Sequence, residues 1–301
     1  MTDDRATGGA WPHPPGGAGG PERPAIAVGL STMAVFPDGV QTAFSMAADL
    51  GFDGVEIMVW SDPVSRDAAA IARLARDHGV PVLSVHAPTT LLTQGVWGRD
   101  PWERLRRSAE HAEELGADVV VVHPPFRWQR EYGAGFSDGI ARLGDEHHVD
   151  FAVENMFPWR VGNSRLEAYS PGWDPTHHEY EHVTLDFSHA ATAQLDSLDL
   201  ARVWGGRVRH VHLGDGSGSV KDEHLPPGRG NQPCAEVLGH LRDASWQGHV
   251  VAEVNTRRAG PRRAAVLAET LAFARTHLDQ AWRRSAEGSP DPRVPADPGH
   301  A

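Results

Sequence analysis

The chain has 301 residues and a single cysteine, Cys234. An intrachain disulfide is therefore impossible, and so is a thiolate-rich metal cluster. No apolar run approaches the ~20 residues that a membrane span needs. The first two dozen residues are Gly, Pro and charge, without the apolar core of a signal peptide. Together these absences predict a cytoplasmic protein with no membrane segment. Net basic charge is missing too: the formal charge is −12. A long-range positive field for nucleic acid is thus absent, although a local patch remains open. No GxxxxGK[ST] loop occurs, and no GxGxxG joins the first apolar run to its helix, which argues against a nucleotide fold.

What is present is an alternation. Residues 1–23 and 279–301 are low-complexity and read as disordered tails, leaving one domain over 24–278. Within it, apolar runs of β type alternate with helical patterns. The runs are 25–30, 54–59, 81–85, 118–122, 149–153, 182–185, 208–213 and 249–252. Helices are expected over about 39–50, 66–78, 101–115, 136–147, 175–181, 196–204, 233–244 and 262–278. Near-continuous apolar strands imply a parallel sheet covered on its outer face. Eight such units in this length predict a (β/α)8 TIM barrel, an α/β fold with a ring of outer helices.

In such a barrel the C-terminal strand ends form the working face. Six consecutive runs end on a residue that can bind a metal: His86, His123, Glu154, Asp186, His212 and Glu253. Buried carboxylates and imidazoles are costly unless they are paired or metal-bound. After the seventh run, Asp222 and His224 sit one residue apart in a Gly/Pro loop, where both can face one ion. A satisfied core His212 beside a solvated acidic loop is the alternative for that stretch.

The motifs that carry this pattern are Ser84-Val85-His86-Ala87-Pro88, Val121-Val122-His123-Pro124, Val153-Glu154-Asn155 and Leu185-Asp186-Phe187-Ser188-His189. They continue with His210-Val211-His212-Leu213-Gly214-Asp215, Lys221-Asp222-Glu223-His224-Leu225-Pro226-Pro227-Gly228-Arg229-Gly230 and Val251-Ala252-Glu253-Val254. Their order over residues 25–278 resembles the xylose-isomerase-like barrel superfamily. That group holds sugar-phosphate isomerases and epimerases and the class II apurinic endonucleases (endonuclease IV). The endonuclease branch implies a trinuclear zinc cluster. His86, His123 and Glu154 would hold one ion. Glu154 would bridge to a second, held with Asp186, His212 and Glu253. His189, Asp222 and His224 would hold the third. The isomerase branch implies only the middle ion, usually Mn²⁺, with Glu154 and Glu253 moving a proton between neighbouring carbons.

The sequence departs from the endonuclease pattern in two places. Glu223 stands where that pattern has Arg, and the loop after His86 lacks the expected Tyr and Asn. These departures and the acidic charge favour a small sugar or sugar-phosphate substrate over nucleic acid. The expectation is therefore a metal-dependent isomerase or epimerase with one to three Zn²⁺ or Mn²⁺ ions. A trinuclear zinc phosphoester hydrolase is the alternative. Glu56 is a candidate substrate contact, or else an ordinary hydrogen-bonded strand residue. Lys221 and Arg229, beside the Gly228/Gly230 turn, could bind a phosphate. Trp159, with Trp97 and Trp173, could stack on a substrate or cap the barrel. Cys234 reads as a packing residue.

Overall fold

Four valines in a row, Val119–Val122, show how the barrel divides its side chains. Successive residues of a strand point to opposite faces. Val119 and Val121 pack with Ala152 inside the barrel, while Val120 and Val122 join the large outer core. The computed structural model describes residues 26–93, 95–161 and 164–278. The expectations for the tails 1–23 and 279–301 lie outside the described residues.

Eight parallel strands close the barrel: β1 (Ala27–Ser31), β2 (Gly54–Met58), β3 (Val82–His86), β4 (Val119–Val122), β5 (Asp150–Glu154), β8 (His182–Asp186), β9 (Val208–Leu213) and β10 (His249–Ala252). β10 pairs back onto β1, so no edge strand remains in the barrel. Each strand coincides with an expected apolar run. The helices α1 (Val40–Leu50), α2 (Ala68–His78), α3 (Pro101–Leu115), α5 (Phe136–His147), α7 (Ser197–Trp204), α8 (Cys234–Asp243) and α9 (Arg263–Leu278) also follow expectation. Their boundaries have local causes. Asp67 and Asp100 cap α2 and α3, and Gly79 and Gly116 end them in the left-handed conformation that glycine tolerates. Phe44, Ile71, Leu105, Phe136, Leu238 and Leu267 are fully buried against the barrel's outer face.

Among the described residues, two α-helices and one hairpin depart from expectation. A short helix α4 (Arg130–Ala134) precedes α5. A hairpin of β6 (Trp159–Val161) and β7 (Ser164–Leu166) occupies the long loop after β5. Helix α6 (Phe187–Ala193) starts directly on the last residue of β8. The helix expected over 175–181 is instead a single 3-10 turn, Pro175–His177, followed by extended chain. Tyr180 there buries its ring against Phe136 rather than continuing a helix. Among the described residues, no helix is long and apolar enough to cross a membrane.

Candidate metal centre

The strand ends deliver their side chains to one point. His86, Glu154 and Asp186 are the last residues of β3, β5 and β8, and His123 and Glu253 follow β4 and β10 by one position. His212 is the penultimate residue of β9. Glu154 is the hub. Its Oε2 lies 3.2 Å from His86 Nε2 and 2.9 Å from His123 Nε2. Its Oε1 lies 3.0 Å from His212 Nδ1 and 3.3 Å from His189 Nδ1. His212 Nδ1 also faces Glu253 Oε2 at 2.9 Å. On the far side, Asp222 Oδ2 stands 3.3 Å from His189 Nε2 and 2.9 Å from His224 Nε2.

Ligand atoms of His86, His123 and Glu154 all fall within 4.8 Å of one another, as do those of Glu154, Asp186, His212 and Glu253. A third such group is Asp186, His189 and His224, so Asp186 as well as Asp222 borders the third position. A fourth, Glu56 with His210 and His212, lies deeper. The nine expected ligands therefore share one centre, with Glu154 between the first two groups.

Local structure holds these groups. The Asp186 Oδ1 atom caps α6 by accepting from His189 N at 2.7 Å. Asn155 clamps the ends of β5 and β8: its Nδ2 donates to Asp186 O, and its Oδ1 accepts from Asp186 N. Ser188 Oγ donates to Asp222 Oδ1 and accepts from His224 N, drawing the loop onto α6. Nothing in the sequence singles out Asn155 or Ser188, although each adjoins a candidate ligand in its motif. Their partners lie 31 to 36 residues away, beyond any local signal.

The electrostatics are those of a centre short of positive charge. Burial pushes the Glu154 carboxyl up, but His212, His123 and His189 outweigh it and hold the group well below the usual range. Burial pulls His212 down, yet Glu253, Glu56 and Glu154 hold it well above an ordinary imidazole. His189 is held well above for the same reason, against burial, by Asp186, Asp222 and Glu154. His224 resists burial through Asp222 and rises to about 10. His123 moves the other way, lowered by burial. Protons on imidazoles thus balance the buried carboxylates. Among the described residues two buried carboxylate oxygens have no hydrogen-bond partner, Glu56 Oε1 in the deeper layer and Asp186 Oδ2 in the centre itself. His212 Nδ1 is 3.5 Å from Asp186 Oδ2 and His189 Nδ1 3.9 Å. Such a set of buried, convergent oxygen and nitrogen donors fits a divalent cation.

The remaining candidates fall elsewhere. Glu56 does not reach the pocket: it is fully buried beneath His212. Arg229 is exposed and pairs with Glu269 of α9 at 3.0 Å. The turn beside it is already filled, because the Asp215 carboxylate accepts from the backbone N–H groups of Gly216, Gly228, Gly230 and Gln232. A phosphate in that turn would have to displace this internal anion. Lys221 is exposed, and its carbonyl accepts from Thr192 Oγ1. Trp159 opens β6 in an aromatic group with Phe126, Trp128 and Tyr169. Trp97 packs against His111, Trp173 Nε1 donates to Glu167, and Cys234 is buried at the start of α8. Glu223 accepts from Ser217 and so turns away from the centre.

A cavity of about 180 Å³ opens beside the centre, lined by Met33, Phe36, His224, Glu253, Asn255 and Arg257. A wider groove of about 1090 Å³ lies at the other end of β5 and β8, against Asp150 and His182, remote from these groups.

Barrel, strand-end ligands and motif order together define a class, and the sequence match agrees. The chain belongs to the xylose isomerase-like TIM barrel family, which it matches over residues 44–277. It is 51% identical over 277 residues to an uncharacterized protein of Mycobacterium tuberculosis, covering 85% of this chain and 99% of that one. It is 21% identical over 247 residues to fructoselysine 3-epimerase of Escherichia coli O157:H7, covering 72% and 86% respectively. The solved structure of a D-tagatose 3-epimerase-like protein superposes with a TM-score of 0.60 at 22% identity, covering 83% of this chain and 98% of that one.

Proposed function

We propose that the protein is a divalent-metal-dependent isomerase or epimerase of a small sugar or sugar phosphate, working in the cytoplasm. The observation that carries this is the group Glu154, Asp186, His212 and Glu253, converging beside a cavity of about 180 Å³. The relationship to fructoselysine 3-epimerase supports the same class.

These four residues would hold the ion, Zn²⁺ or Mn²⁺. When bound, the ion supplies charge that polarises the carbonyl and hydroxyl oxygens of the substrate. Glu253 lines the cavity, and His212, against burial, holds its carboxyl below the usual range. It is therefore a base at neutral pH, able to take a proton from the carbon beside a substrate carbonyl. Glu154 lies across His212 Nδ1 from Glu253, at 3.0 Å against 2.9 Å. In this proposal it would return a proton from the other side. His86, His123, His189, Asp222 and His224 would then donate to or accept from substrate oxygens. The formal net charge of −12 opposes a nucleic-acid substrate.

The test is proton exchange. Metal-loaded protein is incubated with ketoses and their phosphates in D₂O, and the C–H beside the carbonyl is followed by NMR. Exchange that disappears in Glu253→Gln supports the assignment. The flanking groups favour a second function, a trinuclear zinc phosphoester hydrolase, because they offer ligands for further ions. Clustered ions can activate water and neutralise a phosphate together. Phosphoester cleavage without C–H exchange, by protein carrying about three zinc ions, would replace the isomerase assignment with this one.

A further inference from the structure

One layer below the centre lies a polar group that the proposed reaction does not use. Glu56 on β2 is paired in register with Ser84 on β3, and His210 precedes His212 by two positions on β9. All four side chains point into the barrel and none is exposed. Glu56 Oε2 accepts from Ser84 Oγ at 2.8 Å and faces His210 Nε2 at 2.9 Å. His212 Nε2 lies 3.2 Å from Oε1 and 3.3 Å from Oε2.

An ionised carboxylate only accepts hydrogen bonds. Facing it, Nε2 of His212 must carry a hydrogen. A neutral His212 then has its lone pair on Nδ1. That atom points at Glu154 Oε1, Glu253 Oε2 and Asp186 Oδ2, at 3.0, 2.9 and 3.5 Å. We infer that Glu56 is a positioning residue: it fixes His212 as the Nε2–H tautomer and so makes Nδ1 the metal-binding atom. Ser84 and His210 hold the Glu56 carboxylate in place. A carboxylate behind a ligating imidazole also raises its basicity, and loss of such a partner typically weakens metal binding about 10–100-fold. Aspartate would not serve, since it is one carbon shorter and the barrel wall fixes the distance.

The inference rests on the middle ion proposed above, and the experiment separates the two. Manganese and zinc affinities are measured by competition with a chelator for the full wild-type chain and for Glu56→Gln, with circular dichroism as the control for folding. Binding weakened about 10–100-fold in a folded variant is the expected result. Metal-loaded, ¹⁵N-histidine-labelled wild type should show hydrogen on Nε2 of His212 and none on Nδ1. Affinities equal within about twofold, or hydrogen on Nδ1, overturn the inference while leaving the metal-dependent function intact. A wild type that binds no metal overturns both. Loss of a whole equivalent of metal with the remaining affinity unchanged would place an ion on Glu56, His210 and His212, and would also overturn it. If Glu56→Gln does not fold, the NMR result on the wild type decides.

Discussion

Loading the centre with metal should release protons, and their number should report how many ions it holds. Without metal, His189 and His212 are held well above the ordinary imidazole value and His224 is raised to about 10. All three imidazoles are therefore protonated at neutral pH. Each must lose its inward proton to bind an ion, because the ligand is the neutral ring. For His224 at pH 7 the displacement spans about three pH units, or ~4 kcal/mol at 1.36 kcal/mol per unit. A single ion on Glu154, Asp186, His212 and Glu253 takes the place of the His212 Nδ1 proton alone. About one proton should then appear per chain, against about three if His189 and His224 also bind. The sign follows directly. These groups have raised values, so acid favours the proton, and apparent affinity falls about tenfold per proton displaced for each pH unit lost. The assay is calorimetric titration with zinc or manganese in buffers of different ionisation enthalpy, repeated at several pH values. Release below about half a proton per ion, or an affinity flat between about pH 6 and 8, would refute the reasoning.

Three further outcomes follow from the geometry. Glu253→Gln should lower turnover by about 10²–10⁴-fold, the usual contribution of a positioned base, in a variant that keeps the folded barrel's circular dichroism. Steady-state kinetics and circular dichroism check the two halves. At the other end of the barrel, Arg209 bridges Asp150 at 2.5 Å and Asp118 at 2.6 Å. His182, with Arg209 and against burial, lowers Asp150 to about 2. A depressed carboxyl contributes stability above its unfolded value near pH 4 and loses it as pH falls through about 2. Arg209→Ala should cost about 1 kcal/mol at pH 7, after discounting for the solvent exposure of both acids, and should flatten this acid limb in urea titrations. Asp215→Ala leaves the N–H groups of Gly228, Gly230 and Gln232 without their acceptor. It should lower stability by about 2–5 kcal/mol and weaken zinc binding through the loop that carries Asp222 and His224. Unchanged urea midpoints would refute this.

Much of the barrel was legible because it repeats. Most strand positions are apolar, the buried positions of the long helices recur at helical spacing, and the candidate ligands recur at strand ends. Helix α6 was hidden by its length: seven residues, Phe187–Ala193, beginning where a strand was already expected to stop. Asp186 was the available signal, since aspartate before a helical run is a good cap. The depth of Glu56 was hidden for another reason. Alternation puts it inside the barrel, but its height follows from pairing with Ser84 rather than with His86. That register belongs to the closed barrel and not to either strand. Likewise nothing near Arg229 in sequence shows that Asp215, 13 to 17 residues away from Gly228 and Gln232, fills the adjacent turn.

Asp186 divides its two oxygens between unlike tasks. One holds the first turn of α6, and the other stands bare toward His212 and His189. Asparagine at this position would keep the shape but turn one side into a donor, so either the helix start or the ligand would be lost. Glutamate would carry both oxygens past the backbone it caps. If the centre holds metal as proposed, the secondary structure that carries His189 and the affinity of the centre would both depend on this single residue. Neither can drift under selection without the other, and an engineer who wishes to retune the metal must begin somewhere else.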